Sequence, residues 1–212
     1  MVAPMSKLIV LEGLDGAGTT TQARLLADAL RARGRQVHVT REPSDGPIGK
    51  LLRGMLTGDH AIAGQAIDQR TFGLLFAADR MDHCQREVAP HIAAGTLVIS
   101  DRWYHSSLAY QGTGAERAWI ATCNLHAIRP DVTLFLRVRP ETAAARRAAA
   151  GRTEELFEAI EMQRKVATGY DEVMAKLAFA GEKLEVIDGE QPVAQVTEEI
   201  LAGVLRRIGG AN

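Results

Sequence analysis

Short apolar runs alternate with helical patterns along most of the chain. Five runs of mostly apolar residues predict buried β-strands, because each is short and several end at glycine or proline. They cover residues 7–13, 36–43, 96–102, 131–138 and 183–189. Between them apolar residues recur at helical spacing, and the predicted helices cover residues 19–34, 47–57, 65–94, 153–179 and 192–208. Strands that are apolar throughout favour a parallel sheet with helices on both faces.

The predicted architecture is therefore α/β and three-layered, with a five-stranded parallel sheet between two layers of helices. In such sheets ligands bind beyond the carboxyl ends of the strands. The residues that follow each strand are thus the candidates for chemistry. A length of 212 residues fits a single domain over residues 1–212, with room for a short lid.

Composition narrows the class of protein. With 46% hydrophobic and 24% charged residues the chain is typical of a globular protein, and a net charge of −1 gives no reason to expect a nucleic-acid partner. No apolar run is long enough to span a membrane, and residues 1–7 are too short for a signal peptide. Cys84 and Cys123 have no ligand-type neighbours at metal spacing. We expect two reduced thiols in a cytoplasmic protein.

The sequence LEGLDGAGTTTQ at residues 11–22 has the spacing of a phosphate-binding loop (P-loop). Backbone N–H groups can surround a phosphate only where side chains leave room, and the start of the following helix adds further donors. A dinucleotide-binding turn would need its glycines in another order, whereas a glycine-rich turn without a ligand stays open. The residues expected to bind ATP here are Gly13, Asp15, Gly16, Ala17, Gly18, Thr19, Thr20 and Thr21.

Thr19 occupies the position where a P-loop carries lysine. That lysine contacts the terminal phosphates, and loss of one such preorganised donor typically slows catalysis by ~10²–10³. The chain is then a kinase that has lost its cation, a kinase that takes the cation from elsewhere, or no kinase. The Ala- and Arg-rich residues 143–155 are either a solvated turn or a lid that supplies Arg146, Arg147 and Arg152 to the phosphates.

A second polar string, DRWYHSSLAYQG, follows the third predicted strand at residues 101–112. An aspartate at the end of an apolar strand can hold magnesium, as Asp101 would, and Arg102 beside it can bind a second phosphate. An isolated Asp–Arg pair would fit a surface ion pair equally well, so the assignment depends on the whole string.

Together with EGLDGAG at residues 12–18, this string resembles the thymidylate kinase family, whose pattern is D-R-Y-x-x-S-x-x-A-Y-Q-G. Trp103 is its one departure. TREP at residues 40–43 and LLFAADR at residues 74–80 are two further family signatures in the right order. The resemblance extends from about residue 7 to residue 192. It implies a P-loop NTPase-type fold, ATP and dTMP as substrates, Mg²⁺ as cofactor, and a homodimer.

The resemblance also implies roles for individual residues in dTMP binding. Phe76 would stack on thymine, and Arg80, one helical turn later on the same face, would reach its O4 atom. Arg102 would hold the dTMP phosphate. The remaining acceptor residues it implies are Glu42 and Pro43 near the sugar, Ser106, Ser107 and Gln111 near the base, and Tyr110 under the deoxyribose.

Magnesium and catalysis are assigned in the same way. The resemblance implies that Thr20, Asp15 and Asp101 hold magnesium. Asp15, Arg102 and Arg152 are the candidate catalytic residues. Gly16 and arginines near a lid at about residues 146–156 follow the bacterial branch of the family. Lid arginines normally assist the lysine in this branch, and we expect one of them here, Arg152 first among them, to carry more of the γ-phosphate charge.

The leading interpretation is a dTMP kinase that transfers the γ-phosphoryl group of ATP to dTMP for dTTP synthesis. Two alternatives stay open from the residues themselves. One is a nucleotide-binding homologue with impaired catalysis and a regulatory role. Thr19 is the only residue that supports this alternative. The other is a kinase for a different deoxynucleoside monophosphate, against which Phe76, Arg80 and Tyr110 argue. A P-loop switch protein would need a guanine-reading motif, and none is recognisable.

Overall fold

The computed structural model describes residues 7–58, 67–151 and 156–208. Its sheet has five parallel strands in the order β2-β3-β1-β4-β5. The strands are β1 (Leu8–Gly13), β2 (Val37–Arg41), β3 (Leu97–Asp101), β4 (Val132–Arg137) and β5 (Leu184–Asp188). The predicted α/β fold with a five-stranded parallel sheet is confirmed.

Helices cover both faces of this sheet. They are α1 (Thr19–Arg31), α2 (Pro47–Thr57), α3 (Gln69–His83), α4 (Ala89–Ala93), α5 (Tyr104–Tyr110), α6 (Arg117–Cys123), α7 (Pro140–Ala149), α8 (Leu156–Phe179) and α9 (Val193–Ile208). Successive side chains of β1 point to opposite faces. Ile9 and Leu11 share one buried core with Leu26 of α1, whereas Leu8 and Val10 lie in the other. The central strand β1 is buried along its whole length. Its carboxyl end therefore has a fixed position in the sheet, and the loop that follows it begins there.

The long helix predicted over residues 65–94 contains a π-helical turn. Residues 65 and 66 lie outside the described residues, and α3, the π-helical turn at Cys84–Val88 and the short α4 follow one another without a gap. Pro90 accounts for the turn, because proline has no N–H to donate and its ring clashes with the carbonyl group four residues earlier in a regular α-helix. The predicted long helix is therefore confirmed over residues 69–93, with one local departure from α-helical bonding.

Residues 143–149, which the sequence left as a turn or a lid, belong to helix α7. Alanine is the strongest helix former, and Pro140 at the first turn is already in a helical conformation. The helix ends just before Gly151, whose φ of +76° suits a chain leaving a helix. A turn is therefore wrong for Arg146 and Arg147. Arg152, the expected replacement cation, lies outside the described residues.

Two remaining expectations concern the thiols and the membrane. Cys84 and Cys123 are both free cysteines. Among the described helices, none combines the length and the apolar character that crossing a bilayer would require.

Candidate active site

The loop between β1 and α1 is shaped by its glycines. Gly16 has φ +92° and Gly18 has φ +98°, conformations that other residues rarely adopt. A Cβ atom on Gly16 would lie 2.4 Å from the carbonyl oxygen of Ala143 in α7. Glycine at this position therefore lets α7 pack directly on the loop.

Thr20 and Asp101 come together at the start of α1. The Thr20 hydroxyl donates to Oδ2 of Asp101, which ends β3. Oδ1 of Asp101 is buried and has no hydrogen-bond partner in the described part of the protein. An orphaned, buried carboxylate oxygen beside a hydroxyl fits a Mg²⁺ ligand, since Mg²⁺ prefers oxygen.

Asp15 does not join that pair. Its Oδ1 accepts from Nη2 of Arg102 at 2.6 Å, so the carboxylate is directed toward the arginine. Within residues 7–58, 67–151 and 156–208, no group of three His, Cys, Asp or Glu side chains could hold a metal ion. The remaining ligands of a magnesium ion at Thr20 and Asp101 would be water and phosphate oxygens, as is usual for nucleotide-bound Mg²⁺.

A cavity of about 770 Å³, here called the P-loop cavity, opens beside residues 15–22. Thr19, at the lysine position of the motif, adds no charge to it and is 5% exposed. The cations on its walls are instead the arginines Arg41, Arg53, Arg102, Arg146 and Arg147. Asp15, Glu42 and Asp101 also line the cavity, so the arginines outnumber the carboxylates on its walls.

Arg146 and Arg147 both bind main-chain oxygens of the P-loop. Nη1 of Arg147 donates to the Asp15 carbonyl at 2.5 Å. Nη1 of Arg146 donates to the Ala17 carbonyl at 3.4 Å, and its Nη2 donates to the Gly189 carbonyl at 2.9 Å. A guanidinium group carries five N–H donors, so each arginine can also bind a phosphate.

A second cavity of about 180 Å³, here called the Phe76 cavity, lies on the other side of Asp15 and Arg102. Its walls bring together every residue expected to bind the acceptor: Glu42, Pro43, Phe76, Arg80, Arg102, Ser106, Ser107, Tyr110 and Gln111. Leu56 and Trp103 complete the lining. The peptide bond before Pro43 is cis.

Arg80 is buried and held by a ring of acceptors. Its Nε donates to Oε2 of Glu42 at 2.8 Å, Nη2 also donates to that oxygen, and Nη1 donates to Oδ1 of Asn124. Nη2 further contacts Oγ of Ser107 at 3.3 Å. The Glu42 carboxylate, expected near a sugar hydroxyl, thus serves first to fix Arg80.

Two hydrogen bonds from Ser44 hold the segment after β2 in place. Both the amide and the hydroxyl of Ser44 donate to the Asp79 carboxylate, at 2.7 and 2.6 Å. Asp79 is buried in α3, directly before Arg80. The loop that carries Glu42 and Pro43 is therefore tied to the helix that carries Phe76 and Arg80.

Arg102 has a left-handed backbone, with φ +76°. Besides Asp15, its guanidinium group contacts Oγ of Ser106 at 3.1 Å and the Tyr170 hydroxyl at 3.2 Å. It lies 5.3 Å from the centre of the Tyr110 ring, within cation–π range. Burial would lower the pKa of Arg102, but the surrounding oxygens of Tyr110 and Asp15 keep that pKa well above its usual value.

Comparison with known proteins shows the family of the chain. The sequence profile of the thymidylate kinase family matches residues 11–200. The chain belongs to the thymidylate kinase family. It is accordingly an enzyme of that type, a nucleotide-binding transferase.

Relatives match over nearly the full length. The chain is 40% identical to a "Probable thymidylate kinase" of Thermococcus kodakarensis over 206 residues, 95% of this chain and 98% of the relative. It is 36% identical to proteins of the same name from Pyrococcus abyssi over 203 residues (95% and 97%) and from Methanococcus maripaludis over 214 residues (96% and 98%).

Three residues of this thymidylate kinase site escaped the sequence analysis. Glu12 is fully buried and accepts from the Trp103 amide at 2.7 Å, from Oγ of Ser106 at 2.6 Å and from the Tyr170 hydroxyl at 2.9 Å. Glu12 could have been noticed as a carboxylate inside an apolar strand, which needs partners when buried. Tyr170 and Asn124 carry no comparable signal, because neither lies in a motif.

Proposed function

We propose that the protein catalyses ATP + dTMP → ADP + dTDP, with Mg²⁺ as cofactor. The observation that carries this proposal is that Asp15 and Arg102 line both the P-loop cavity and the Phe76 cavity. Two nucleotides bound in these cavities would direct their phosphates toward one pair of side chains. Such convergence suits direct phosphoryl transfer, in which positioning and charge stabilisation supply most of the catalysis.

The acceptor would be held by the walls of the Phe76 cavity. Phe76 offers a flat apolar face for thymine, and Arg80 lies one helical turn further on the same cavity wall. Tyr110 would pack against the sugar and disfavour a 2′-hydroxyl. Because Glu42 and Asn124 hold Arg80, its orientation is set before the base arrives.

The transferred group would pass between the two cavities. Arg102 would bind the dTMP phosphate with its planar fork, while Asp15 keeps the guanidinium in place. The P-loop backbone would hold the phosphates of ATP. Thr20 and Asp101 would hold Mg²⁺, which would neutralise part of the phosphate charge. Arg146 and Arg147 would contribute positive charge at the P-loop.

The finer assignments belong to the same proposal. Residues 1–212 form one domain with a lid at about residues 146–156, the enzyme is cytoplasmic, and it works as a homodimer. We assign a bacterial-type arrangement on the basis of Gly16 and the nearby arginines, although the relatives named above are archaeal. Arg152 is the proposed main replacement for the P-loop lysine.

A coupled assay of ADP release tests the proposal, with ATP, Mg²⁺ and dTMP, and with dUMP, dCMP and dGMP in parallel. Turnover that strongly favours dTMP is expected. Turnover that favours another acceptor would contradict the assignment of the Phe76 cavity. Binding of ATP and dTMP without turnover would instead support the non-catalytic alternative that Thr19 raises.

A further inference from the structure

A buried histidine lies behind the Arg102 site. The His105 side chain, on α5, is fully buried, and its Nδ1 atom is 3.6 Å from Oε1 of Glu12. That separation is too long for a hydrogen bond, and Nδ1 has no other partner among the described residues. On the other side of the ring, Nε2 is 3.2 Å from Oε2 of Glu182.

The surroundings of His105 favour an imidazolium. The groups that face it are Glu12 of β1, Glu182 after α8, the Thr133 hydroxyl of β4 at 3.4 Å and the Tyr104 ring of α5, stacked at 4.3 Å. Burial alone would lower the pKa of His105, but the two carboxylates raise it above its ordinary value. Both ring nitrogens of an imidazolium are donors, which matches a carboxylate on each side.

Glu12 needs such a partner. Its carboxylate is fully buried, and burial on its own would raise the pKa, yet His105, Arg102 and Ser106 hold that pKa below the usual value. A buried anion is tolerated only when it is paired and hydrogen-bonded. The charge on Glu12 thus depends in part on His105, alongside Arg102 and the hydrogen bonds to the carboxylate.

We propose that His105 is a positioning residue for the acceptor phosphate. Its imidazolium holds the buried Glu12 carboxylate, and Glu12 fixes the Ser106 and Tyr170 hydroxyl groups, which both contact the Arg102 guanidinium. Glu12 also accepts from the Trp103 amide, next to the left-handed Arg102. His105 thereby acts on dTMP binding through Arg102, without touching a substrate.

The inference rests on the proposed dTMP kinase activity and predicts a selective defect. In His105→Gln the Glu12 carboxylate loses one of its two neighbouring cations, so it holds Ser106 and Tyr170 less firmly against Arg102. KM for dTMP should rise at least about tenfold, since small misplacements of positioning groups cost up to ~10². KM for ATP should change much less, because residues other than Arg102 form most of the P-loop cavity.

The pH dependence of kcat/KM for dTMP distinguishes this role from a purely structural one, which would not change it. In the unsubstituted protein, the imidazolium persists above the ordinary histidine pKa of about 6.5 and is lost as the pH rises through the raised value. Therefore kcat/KM for dTMP should fall on the alkaline side. That decline should be absent in His105→Gln and should begin at lower pH in Glu182→Gln, where one of the two anionic partners is removed.

The experiment measures dTMP binding by calorimetry, steady-state kinetics for both substrates, and thermal unfolding for each variant. His126→Gln, an exposed histidine, is the matched control. Equal dTMP affinity in His105→Gln and the control, or an unchanged alkaline decline in both His105→Gln and Glu182→Gln, would overturn the proposal. If His105→Gln fails to fold, the pH profile of Glu182→Gln decides alone.

Binding and turnover separate the two proposals. An unsubstituted protein that binds dTMP without turnover would refute the kinase assignment, while the effect of His105→Gln on dTMP binding would still decide the role of His105. An unsubstituted protein that binds no dTMP would refute both.

Discussion

Nη2 of Arg102 lies 2.6 Å from Oδ1 of Asp15, and this ion pair lines both cavities of the site. The pair is positioned by two different loops, one after β1 and one after β3. Asp15 also donates its backbone N–H to the Tyr110 hydroxyl at 3.0 Å, and burial raises the pKa of Tyr110 to about 12. Tyr110 therefore stays neutral at physiological pH and cannot compete with the phosphate for Arg102.

Replacing Arg102 by lysine tests this pair. Lysine keeps the charge but lacks the planar fork that would hold the acceptor phosphate and Asp15 together. We expect kcat to fall by ~10²–10³, which is typical for the loss of one preorganised donor. Steady-state kinetics with saturating ATP would show it. The exposed Arg33→Lys is the control, and equal kcat for both variants would contradict the role of Arg102.

Removing the Glu42 carboxylate should affect stability as well as acceptor binding. Glu42→Ala leaves the buried Arg80 without its main counter-charge, and breaking such a pair costs about 3–5 kcal/mol. Glu42→Gln keeps an oxygen acceptor and should cost less. Urea unfolding measures both variants. Asp171→Ala, which breaks an exposed pair with Arg137, should hardly change the free energy of unfolding.

Gly16→Ala should separate α7 from the P-loop. Its Cβ atom would collide with the Ala143 carbonyl, and the φ of +92° would strain the backbone. We expect a loss of about 2–3 kcal/mol in stability and weaker ATP binding.

Gly34→Ala provides the matched control for this prediction. Gly34 also has a positive φ, +76°, but a Cβ atom there would meet nothing within 4 Å. The loss of stability in Gly34→Ala should come from backbone strain alone, roughly 1–2 kcal/mol, and ATP binding should be unchanged. Equal losses in the two variants would show that packing against α7 does not matter.

A double-mutant cycle tests the proposal that Arg152 replaces the P-loop lysine. Arg152→Ala should lower kcat by ~10²–10³ if Arg152 carries the charge. Adding Thr19→Lys should restore part of the lost kcat, because the new lysine would supply the positive charge that Arg152 provided. Turnover that is insensitive to Arg152→Ala would exclude this residue, and the same cycle with Arg147→Ala would test the α7 arginine that binds the Asp15 carbonyl of the loop.

Much of the fold could be predicted because its signals are local. Each strand is a short apolar run, and the first turn of α1 follows directly from the glycine spacing of the P-loop. The π-helical turn after α3 was also encoded locally, in Pro90, but the sequence pattern did not distinguish it from a regular helix. Phe76 and Arg80 could be placed from their spacing of one helical turn, together with the family resemblance.

The supporting shell of the site could not be predicted in this way. Tyr170 and Glu12 are 158 positions apart, and Asn124 meets Arg80 across 44 positions. Such contacts arise when helices pack on the sheet, and they cannot be predicted from the spacing of residues along the chain. The sequence therefore reveals the groups proposed to meet the substrates more readily than the groups that orient them.

The contacts of α7 with the P-loop explain how the loop can tolerate substitution. Arg146 and Arg147 bind carbonyl oxygens of Asp15, Ala17 and Gly189, which every residue type possesses. A change of side chain at a position such as Thr19 leaves these attachments unaltered. At loop positions other than the glycines, the shape of the loop and the identity of its side chains can thus evolve separately, and the residue at the motif's lysine position can change while the main-chain cradle proposed to bind the nucleotide stays intact.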